Sequence, residues 1–285
     1  APATEVIDYT LQQVYDLWSS REYPRLGPAS VSSHRAAWGR VSALAGKKVR
    51  RITIDDLQQI IDQDEVDGLS KSSVQNDKGL ISALFRFAME RDIIIKDYSQ
   101  FIRLPSVQAK HEKGVLTDLH LKQLEQLAAA GDPWADAILI LCYTGFRISE
   151  FLALTRFSYH ADGDYLQGGM KTAAGRDRLV PVHPKIKPYL AARLAQNGER
   201  IICDPSGHAV STQVFRARFT ALMEQIGAAG ATPHWCRHTF ASRLHQAGAD
   251  ELAIKRMMGH ANKDVTEHYT HISLDYLRQE LCKIA

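Results

Sequence analysis

Hydrophobic residues in the first third of the chain recur at the three- and four-residue intervals of amphipathic helices. Polar residues fill the opposite faces, and Ser or Thr stands where several of these patterns begin. The pattern predicts a bundle of four main helices, which makes an all-α first domain over residues 1–104. The predicted helices contain Leu11 to Trp18, Ser30 to Leu44, a segment capped by Thr53 with Asp55 and Asp56 in its first turn, and Ser70 to Arg91.

Helical periodicity disappears between Leu104 and Gly114, where Pro, Gly and charged residues cluster. This composition is typical of a linker, which we assign to residues 105–113. A second domain, residues 114–285, is expected to follow. Its first helix runs from Thr117 to Ala129. The next segment, Ala135 to Tyr143, is apolar on nearly every side, which predicts a helix buried in a core.

The spacing of hydrophobic residues then changes from the period of a helix to that of a strand. Gly145 ends the buried helix, and a short helix is expected over 147–154. Asp164–Met170 and Arg178–Val182 read as two strands of an antiparallel hairpin, joined by a loop over 171–177. The second domain is therefore predicted to be mainly helical with a small antiparallel sheet. Its remaining helices are expected over 185–195, 211–226, 233–247, 250–258 and 274–284.

Composition excludes several classes of protein. With 35 Lys and Arg against 32 Asp and Glu, the net charge of +3 excludes a polycation that binds nucleic acid through bulk charge. The longest apolar run, Ala137–Tyr143, is too short to span a bilayer. The N-terminus has no signal-peptide pattern, and the spacing of the four cysteines fits neither a zinc site nor a disulfide scaffold. We therefore expect a cytoplasmic protein without a metal or membrane contact.

Candidate chemistry is concentrated in the second domain. Arg147 follows the helix-ending Gly145, while His234 and Arg237 share one face of a helix predicted to start at Pro233. Arginine can hold phosphate oxygens, histidine can move protons near neutral pH, and tyrosine can act as a nucleophile. This set suits phosphoryl transfer, although the sequence alone leaves open that these are scattered structural residues.

Five segments in fixed order resemble the tyrosine recombinases, in particular the integrases of temperate phages and conjugative transposons. The resemblance implies an all-α, SAM-like core-binding domain followed by the catalytic domain of that family. Cys236 departs from the more frequent Leu, which affects packing more than chemistry. The matching segments are TGFRISE (144–150), GGMKTAAGRDRLVPVH (168–183), HWCRHTFA (234–241), GHAN (259–262) and TEHYTH (266–271).

The resemblance implies a role for each matching residue. Tyr269 is the expected nucleophile and forms a 3′-phosphotyrosine intermediate, while Arg147 and Arg237 bind the phosphate. Lys171 is expected to protonate the leaving 5′-oxygen. The remaining roles are proton transfer by His234, a hydrogen bond to phosphate from His260, and orientation of Arg147 by Glu150.

The implied function is site-specific recombination that integrates and excises a mobile element or prophage. The implied partners are double-stranded DNA attachment sites and, as accessory proteins, an excisionase or a host DNA-bending factor. The reaction needs no cofactor, since the covalent link conserves the energy of the phosphodiester. A homo-tetramer is expected on DNA, held together by exchange of the C-terminal tail.

Several alternatives stay open. A type IB topoisomerase-like relaxase shares the chemistry, and a non-catalytic DNA-binding regulator shares the scaffold. The apolar positions of the tail, 274–284, suit packing either on their own domain or on a neighbouring protomer. Basic residues near the first domain's third helix and around the hairpin are expected either to touch the DNA backbone or to be solvated. These residues are Lys47, Lys48, Arg50, Arg51, Arg176 and Arg178.

Overall fold

The computed structural model describes residues 8–106, 114–169, 177–260 and 272–284. The chain divides into two compact units, with the boundary between Glu112 and Lys113. Each unit has a hydrophobic core of its own.

The first unit is helical in its described residues. Thr10 and Thr53 cap α1 and α3 through reciprocal capping boxes, and the side chain of Ser70 accepts from the backbone of α4. These caps satisfy backbone N–H groups that have no partner within the helix. The helices are α1 (Leu11–Glu22), α2 (Pro28–Val41), α3 (Ile54–Val66) and α4 (Lys71–Met89).

The start of α2 differs from the prediction by two residues. The helix begins at Pro28 rather than Ser30, with Gly27 as its N-cap. Proline is favoured at the first helical position because its ring presets φ and its missing N–H would have no partner there. The helix ends at Val41, and a 3₁₀ turn over Ser42–Leu44 continues it.

Aromatic and ionic contacts join the helices of the first unit. Tyr15 of α1 stacks on Trp38 of α2 with ring centroids 3.9 Å apart. Arg40 of α2 donates to both carboxylate oxygens of the fully buried Asp77 of α4, at 2.5 and 2.6 Å. Asp64 of α3 is also buried, with one oxygen 3.7 Å from Arg40 Nε. One guanidinium therefore faces two buried carboxyl groups.

The second unit is mainly helical, with one small sheet in its described residues. The predicted helices are present, with boundaries that differ by up to three residues. Its helices are α5 (Asp118–Ala129), α6 (Ala135–Thr144), α7 (Ile148–Ala153), α8 (Lys187–Ala195), α9 (Thr212–Gln225), α10 (Pro233–Gln246), α11 (Glu251–Met258) and α12 (Leu274–Leu281). Its strands are β1 (Tyr159–His160), β2 (Tyr165–Gly168) and β3 (Arg178–Pro181).

Helix α6 lies at the centre of this unit, and nine of its ten residues are buried, the exception being Asp136. The helices α5 and α10 pack against it. Gly145 ends α6 in the left-handed region with φ +63°. A Cβ at this glycine would lie 2.4 Å from Phe240 Cδ1, so both the backbone conformation and the close packing require glycine here.

The sheet is antiparallel in the order β1-β2-β3. The hairpin strands β2 and β3 were predicted, whereas β1 was not, since two residues are too few for an alternating pattern. Leu166 faces Val180 across the hairpin, and both are fully buried. Arg178 shares the inward side of β3 with Val180 because strand residues two apart face the same way.

Helix α12 packs on its own unit, as the first of the two interpretations of the tail predicts. Leu277, Leu281 and Ile284 belong to the core of this unit. The buried His183 accepts at Nδ1 from the Lys185 N–H, so its Nε2 carries the proton that it donates to the Ile284 carbonyl at 3.1 Å. Among the described helices, none is both long and apolar enough to cross a membrane.

Candidate active site

Two glycine-capped helix ends form the frame of the site. Helix α6 ends at Gly145 and helix α11 at Gly259, each with φ +63°. A left-handed glycine turns the chain sharply at a helix C-terminus. Arg147 follows the first turn and His260 the second, so each sequence-predicted residue comes directly after a helix end.

Arg237 connects these two helix ends. It lies in the first turns of α10, which begins at Pro233 as predicted. Its Nη1 donates to the Gly145 carbonyl at 2.6 Å, and its Nη2 donates to the Met258 carbonyl. Carbonyls at helix C-termini carry partial negative charge and attract cations. The guanidinium of Arg237, a residue that is 2% exposed, is thereby fixed between the turns that precede Arg147 and His260.

Glu150 lies between two arginines. Its Oε1 accepts from Arg147 Nη1 at 3.0 Å, and its Oε2 accepts from the Arg147 backbone N–H at 3.0 Å and from Arg178 Nη2 at 2.9 Å. The Arg178 guanidinium also lies 4.4 Å from the centre of the Phe146 ring. This cluster therefore orients Arg147 through both its side chain and its backbone.

The exposure of the two arginines differs. The Arg147 side chain is 25% exposed, whereas the Arg178 side chain is 3% exposed. Because its charge is paired with Glu150 in the interior, Arg178 is a poor candidate for the DNA-backbone contact that its position beside the hairpin suggested. Its buried position could have been inferred from the sequence, since Arg178 stands two residues before the apolar Val180 and strand residues two apart face the same side.

The ion cluster shifts the pKa values of its members. Burial raises the pKa of Glu150, but the hydrogen bonds from Arg178 and Arg147 outweigh it and hold that pKa below its usual range. Burial, together with the charges of Arg147 and Arg178, lowers the pKa of Arg237 to about 9. Arg237 is therefore still a cation at neutral pH.

His260 lies within the electrostatic range of the same arginines. Partial burial lowers its pKa, and the charges of Arg237, Arg147 and Arg178 lower it further, while Glu251 opposes them. The imidazole is accordingly neutral at pH 7. A neutral imidazole can donate one hydrogen bond and accept another.

His234 stands at the exposed start of α10, with its ring edge-on to His238 at 4.6 Å. Two later residues of this helix, Trp235 and Thr239, contact the first described residues of the second unit. Thr239 accepts from the Leu116 N–H at 2.8 Å, and a Cβ at Gly114 would lie 2.1 Å from the Trp235 ring. The helix that carries His234 and Arg237 is thereby packed against the first residues of its unit.

Three of the predicted site residues lie outside the described residues: Lys171, Arg176 and Tyr269. The structure brings Arg147, Glu150, Arg237 and His260 into one electrostatic cluster. Within the described ranges, no group of three His, Cys, Asp or Glu side chains could hold a metal ion.

Most of the basic cluster of the first unit has internal partners. Lys47 Nζ lies 2.5 Å from Asp56, Lys48 Nζ donates to the Asp8 carbonyl, and Arg50 Nε donates to the Ile93 carbonyl. These contacts give three of the four cations a structural function within their unit. Arg51 is exposed.

Comparison with known proteins agrees with this architecture. The chain is 30% identical over 215 residues to the tyrosine recombinase XerD of Lacticaseibacillus casei, covering 70% of this chain and 72% of that protein. Among solved structures it resembles the Tn1549 transposon integrase (residues 82–397) in complex with circular intermediate DNA. That match has a TM-score of 0.75 and 22% identity, and covers 95% of this chain and 99% of the other. It also resembles a lambda integrase tetramer bound to a Holliday junction, with a TM-score of 0.75 and 17% identity over 92% of this chain and 77% of the other.

The mainly helical unit with its three-stranded antiparallel sheet thus has the catalytic fold of tyrosine recombinases. Residues 117–275 match the phage integrase family, and the chain belongs to that family. It is a tyrosine-type site-specific recombinase.

Proposed function

We propose that this recombinase integrates and excises a mobile element or prophage in the bacterial cytoplasm, using Arg147, Lys171, His234, Arg237, His260 and Tyr269. In this reaction the Tyr269 oxygen attacks a DNA phosphodiester. A 3′-phosphotyrosine link forms, and the bond to the 5′-oxygen breaks. A 5′-hydroxyl of a second duplex then attacks the link, which restores the phosphodiester and releases Tyr269.

The observation that carries the proposal is the anchoring of Arg237 to the Gly145 and Met258 carbonyls. These bonds fix a buried cation beside the turns that lead to Arg147 and His260. Transition-state charge is stabilised most effectively by donors that are already in position before the reaction. Arg147 and Arg237 would bind the non-bridging oxygens, with Glu150 holding Arg147 in orientation.

The proton transfers fall to the remaining residues. Lys171 would protonate the leaving 5′-oxygen, and His234 would assist proton removal from Tyr269. His260, neutral at pH 7 because its pKa is lowered, would donate a hydrogen bond to the phosphate. The Tyr269 link retains the energy of the broken phosphodiester, which is why the reaction would use neither ATP nor metal.

We further propose that the first unit is the SAM-like core-binding domain, within 1–104, and that residues 105–113 are the linker to the catalytic domain, 114–285. Four copies would assemble on paired attachment sites, with an excisionase or a host DNA-bending factor as an accessory partner. The lambda integrase tetramer on a Holliday junction is a precedent for such an assembly in a protein of the same fold.

Tail exchange between the four copies would reuse contacts of the single chain. In one chain α12 buries Leu277 and Leu281, while Glu280 accepts from the Asp250 N–H at 2.6 Å. An exchanged tail can make the same contacts on a neighbour, so exchange replaces one set of interactions with an identical set. A native mass measurement on paired-site DNA should give four protomers. A single protomer that still completes recombination would contradict this assembly.

Trapping on nicked suicide DNA tests the chemistry. The wild type should accumulate a covalent adduct, and Tyr269→Phe should form none. An adduct in the Tyr269→Phe variant would identify another nucleophile, whereas no adduct with the wild type would favour the DNA-binding regulator. Two separately labelled duplexes distinguish recombination from relaxation, because a type IB-like relaxase rejoins only the strand it cuts.

A further inference from the structure

Arg178 is a buried cation that contacts Glu150 and Phe146, two residues beside Arg147. Its Nη2 donates to Glu150 Oε2 at 2.9 Å, and its guanidinium lies over the Phe146 ring at 4.4 Å. Its side chain is 3% exposed, and its charge is paired with the Glu150 carboxylate, whereas the equally buried Arg237 donates to the neutral carbonyls of Gly145 and Met258. A buried charge is tolerated only where ionic and hydrogen-bonding partners compensate its desolvation, and here the carboxylate of Glu150 is one such partner.

The partner of Arg178 is also the partner of Arg147. Glu150 uses one oxygen for the Arg147 guanidinium and the other for the Arg147 N–H and for Arg178. The Glu150 side chain is 1% exposed, so it cannot rotate without breaking these bonds in the interior. Arg178 therefore limits the positions that Glu150, and through it Arg147, can adopt.

The turn over 145–147 is held from three sides by different elements. Arg237 of α10 binds the Gly145 carbonyl, Arg178 of β3 covers the Phe146 ring, and Glu150 of α7 binds Arg147. Gly168 of β2 supports the same ring, since a Cβ at this position would lie 3.2 Å from Phe146 Cε1. The hairpin strands thus buttress the turn that presents Arg147.

We propose that Arg178 is a positioning residue for strand cleavage, which acts through Glu150 to hold Arg147 in its phosphate-binding orientation and makes no DNA contact itself. The inference rests on the proposed function, in which Arg147 binds the scissile phosphate. It connects β3, the strand that follows the Lys171 loop in the sequence, to the first arginine of the site. Displacement of Arg147 would then slow cleavage without weakening DNA binding.

Three single variants and one double variant of the 285-residue chain test the proposal on suicide DNA. Arg178→Met removes the donors and the charge, and should lower the cleavage rate at saturating DNA by about 100-fold, the scale of a 1 Å misplacement. Arg178→Lys keeps the charge but lacks the planar guanidinium. Its cleavage rate should be about tenfold higher than that of Arg178→Met. In a protein that already carries Glu150→Gln, the further substitution Arg178→Met should lower the cleavage rate by less than about threefold. The two effects are not additive if Arg178 acts through Glu150.

DNA binding separates positioning from phosphate contact. With Arg178→Met the dissociation constant should stay within about threefold of the wild type, and the slope of its logarithm against log salt should not change. A slope lowered by about 0.9, with an unchanged cleavage rate at saturation, would make Arg178 a phosphate contact and overturn the proposal. Wild-type rates in both Arg178 variants would overturn it as well.

The pH profile separates geometry from charge. Arg178, Arg237 and Arg147 face His260 with positive charge and Glu251 with negative charge. Removing the charge in Arg178→Met should move the His260 limb of the pH–rate profile to higher pH, whereas Arg178→Lys should leave it in place.

Circular dichroism and thermal unfolding check that each variant folds, and Arg178→Lys provides the test if Arg178→Met does not fold. Absence of an adduct with the wild type would instead refute the proposed function.

Discussion

The guanidinium of Arg237 donates a 2.6 Å hydrogen bond to the carbonyl oxygen of Gly145, 92 residues earlier in the chain. This bond joins the first turns of α10 to the end of the buried helix α6. The other end of the guanidinium binds the Met258 carbonyl at the end of α11. Three helices therefore meet at one side chain, and the geometry of the candidate site depends on how the two helix ends are capped.

Gly145→Ala should destabilise the catalytic unit and slow cleavage. Alanine at φ +63° is strained, and its Cβ would lie 2.4 Å from Phe240, so we expect a loss of about 2–4 kcal/mol in the free energy of unfolding. Urea unfolding measures this loss. Gly248→Ala is the matched control, because its φ is +70° with no atom within 4 Å of the added Cβ. Equal losses in the two variants would refute a contribution from Phe240.

Asp64→Asn should remove a pH dependence from the first unit. Burial, a hydrogen bond with Asp77 and the Asp77 charge raise the pKa of Asp64 to about 7, against the opposing charge of Arg40. The folded state therefore keeps a proton that the unfolded chain releases near pH 4. Stability should then fall as pH rises from about 4 to 7, and stay low above pH 7.

The asparagine cannot ionise and can still donate to Asp77. Relative to the wild type it should gain about 2 kcal/mol between pH 5 and pH 8, given ~1.4 kcal/mol per tenfold change in proton affinity. Hydrogen exchange of the α3 and α4 amides measures this gain. Asp62→Asn, at an exposed position of the same helix, should show no such gain. Parallel pH curves for wild type and Asp64→Asn would rule out the shared proton.

Arg193→Met should destabilise the catalytic unit by about 3 kcal/mol. The Arg193 side chain is 3% exposed, and it donates to both carboxylate oxygens of Asp136 at 2.6 and 2.8 Å. Losing one partner of a buried ion pair leaves the other charge uncompensated. Thermal unfolding should show the loss, and Arg218→Met, on the exposed face of α9, should stay within about 0.5 kcal/mol of the wild type. A similar small effect for Arg193→Met would contradict a structural role for this pair.

Leu281→Ala should destabilise the isolated chain, because the tail packs on its own unit. Leu281 is fully buried, and truncation of a buried leucine costs about 2–5 kcal/mol. Leu274→Ala, at the half-buried start of the same helix, should cost less. Chemical unfolding of the DNA-free protein provides the comparison. If Leu281→Ala changed nothing, the tail of the free chain would not be packed in this way.

Arg51→Met should weaken DNA binding, since Arg51 is an exposed residue of a basic cluster whose other members have internal partners. The salt slope of binding should fall by about 0.9 if one phosphate contact is lost. Titrations at several salt concentrations measure the slope. Arg25→Met removes an exposed arginine of the same unit, which pairs with Glu22, and serves as the control. Equal slopes in all three proteins would exclude Arg51 as a phosphate contact.

Local patterns in the sequence determined the elements of this protein. The apolar stripes predicted the helices, the all-round apolar segment before Gly145 predicted the buried α6, and alternation predicted the strands β2 and β3. The resemblance of five ordered motifs indicated the family, which the comparisons confirm. These inferences succeed because periodicity, caps and turn residues act within a few positions of one another.

Only the tertiary structure decided the partners of each charge. Arg178 looks like a surface cation of a hairpin, yet it is buried against Glu150, and Lys47, Lys48 and Arg50 are engaged within their own unit. The bond from Arg237 to Gly145 and the packing of the tail beside His183 likewise join residues distant in the chain. The physical reason is that desolvation and ion pairing depend on which elements fold together, and a charged residue has the same sequence signature whether it meets water, phosphate or a buried carboxylate.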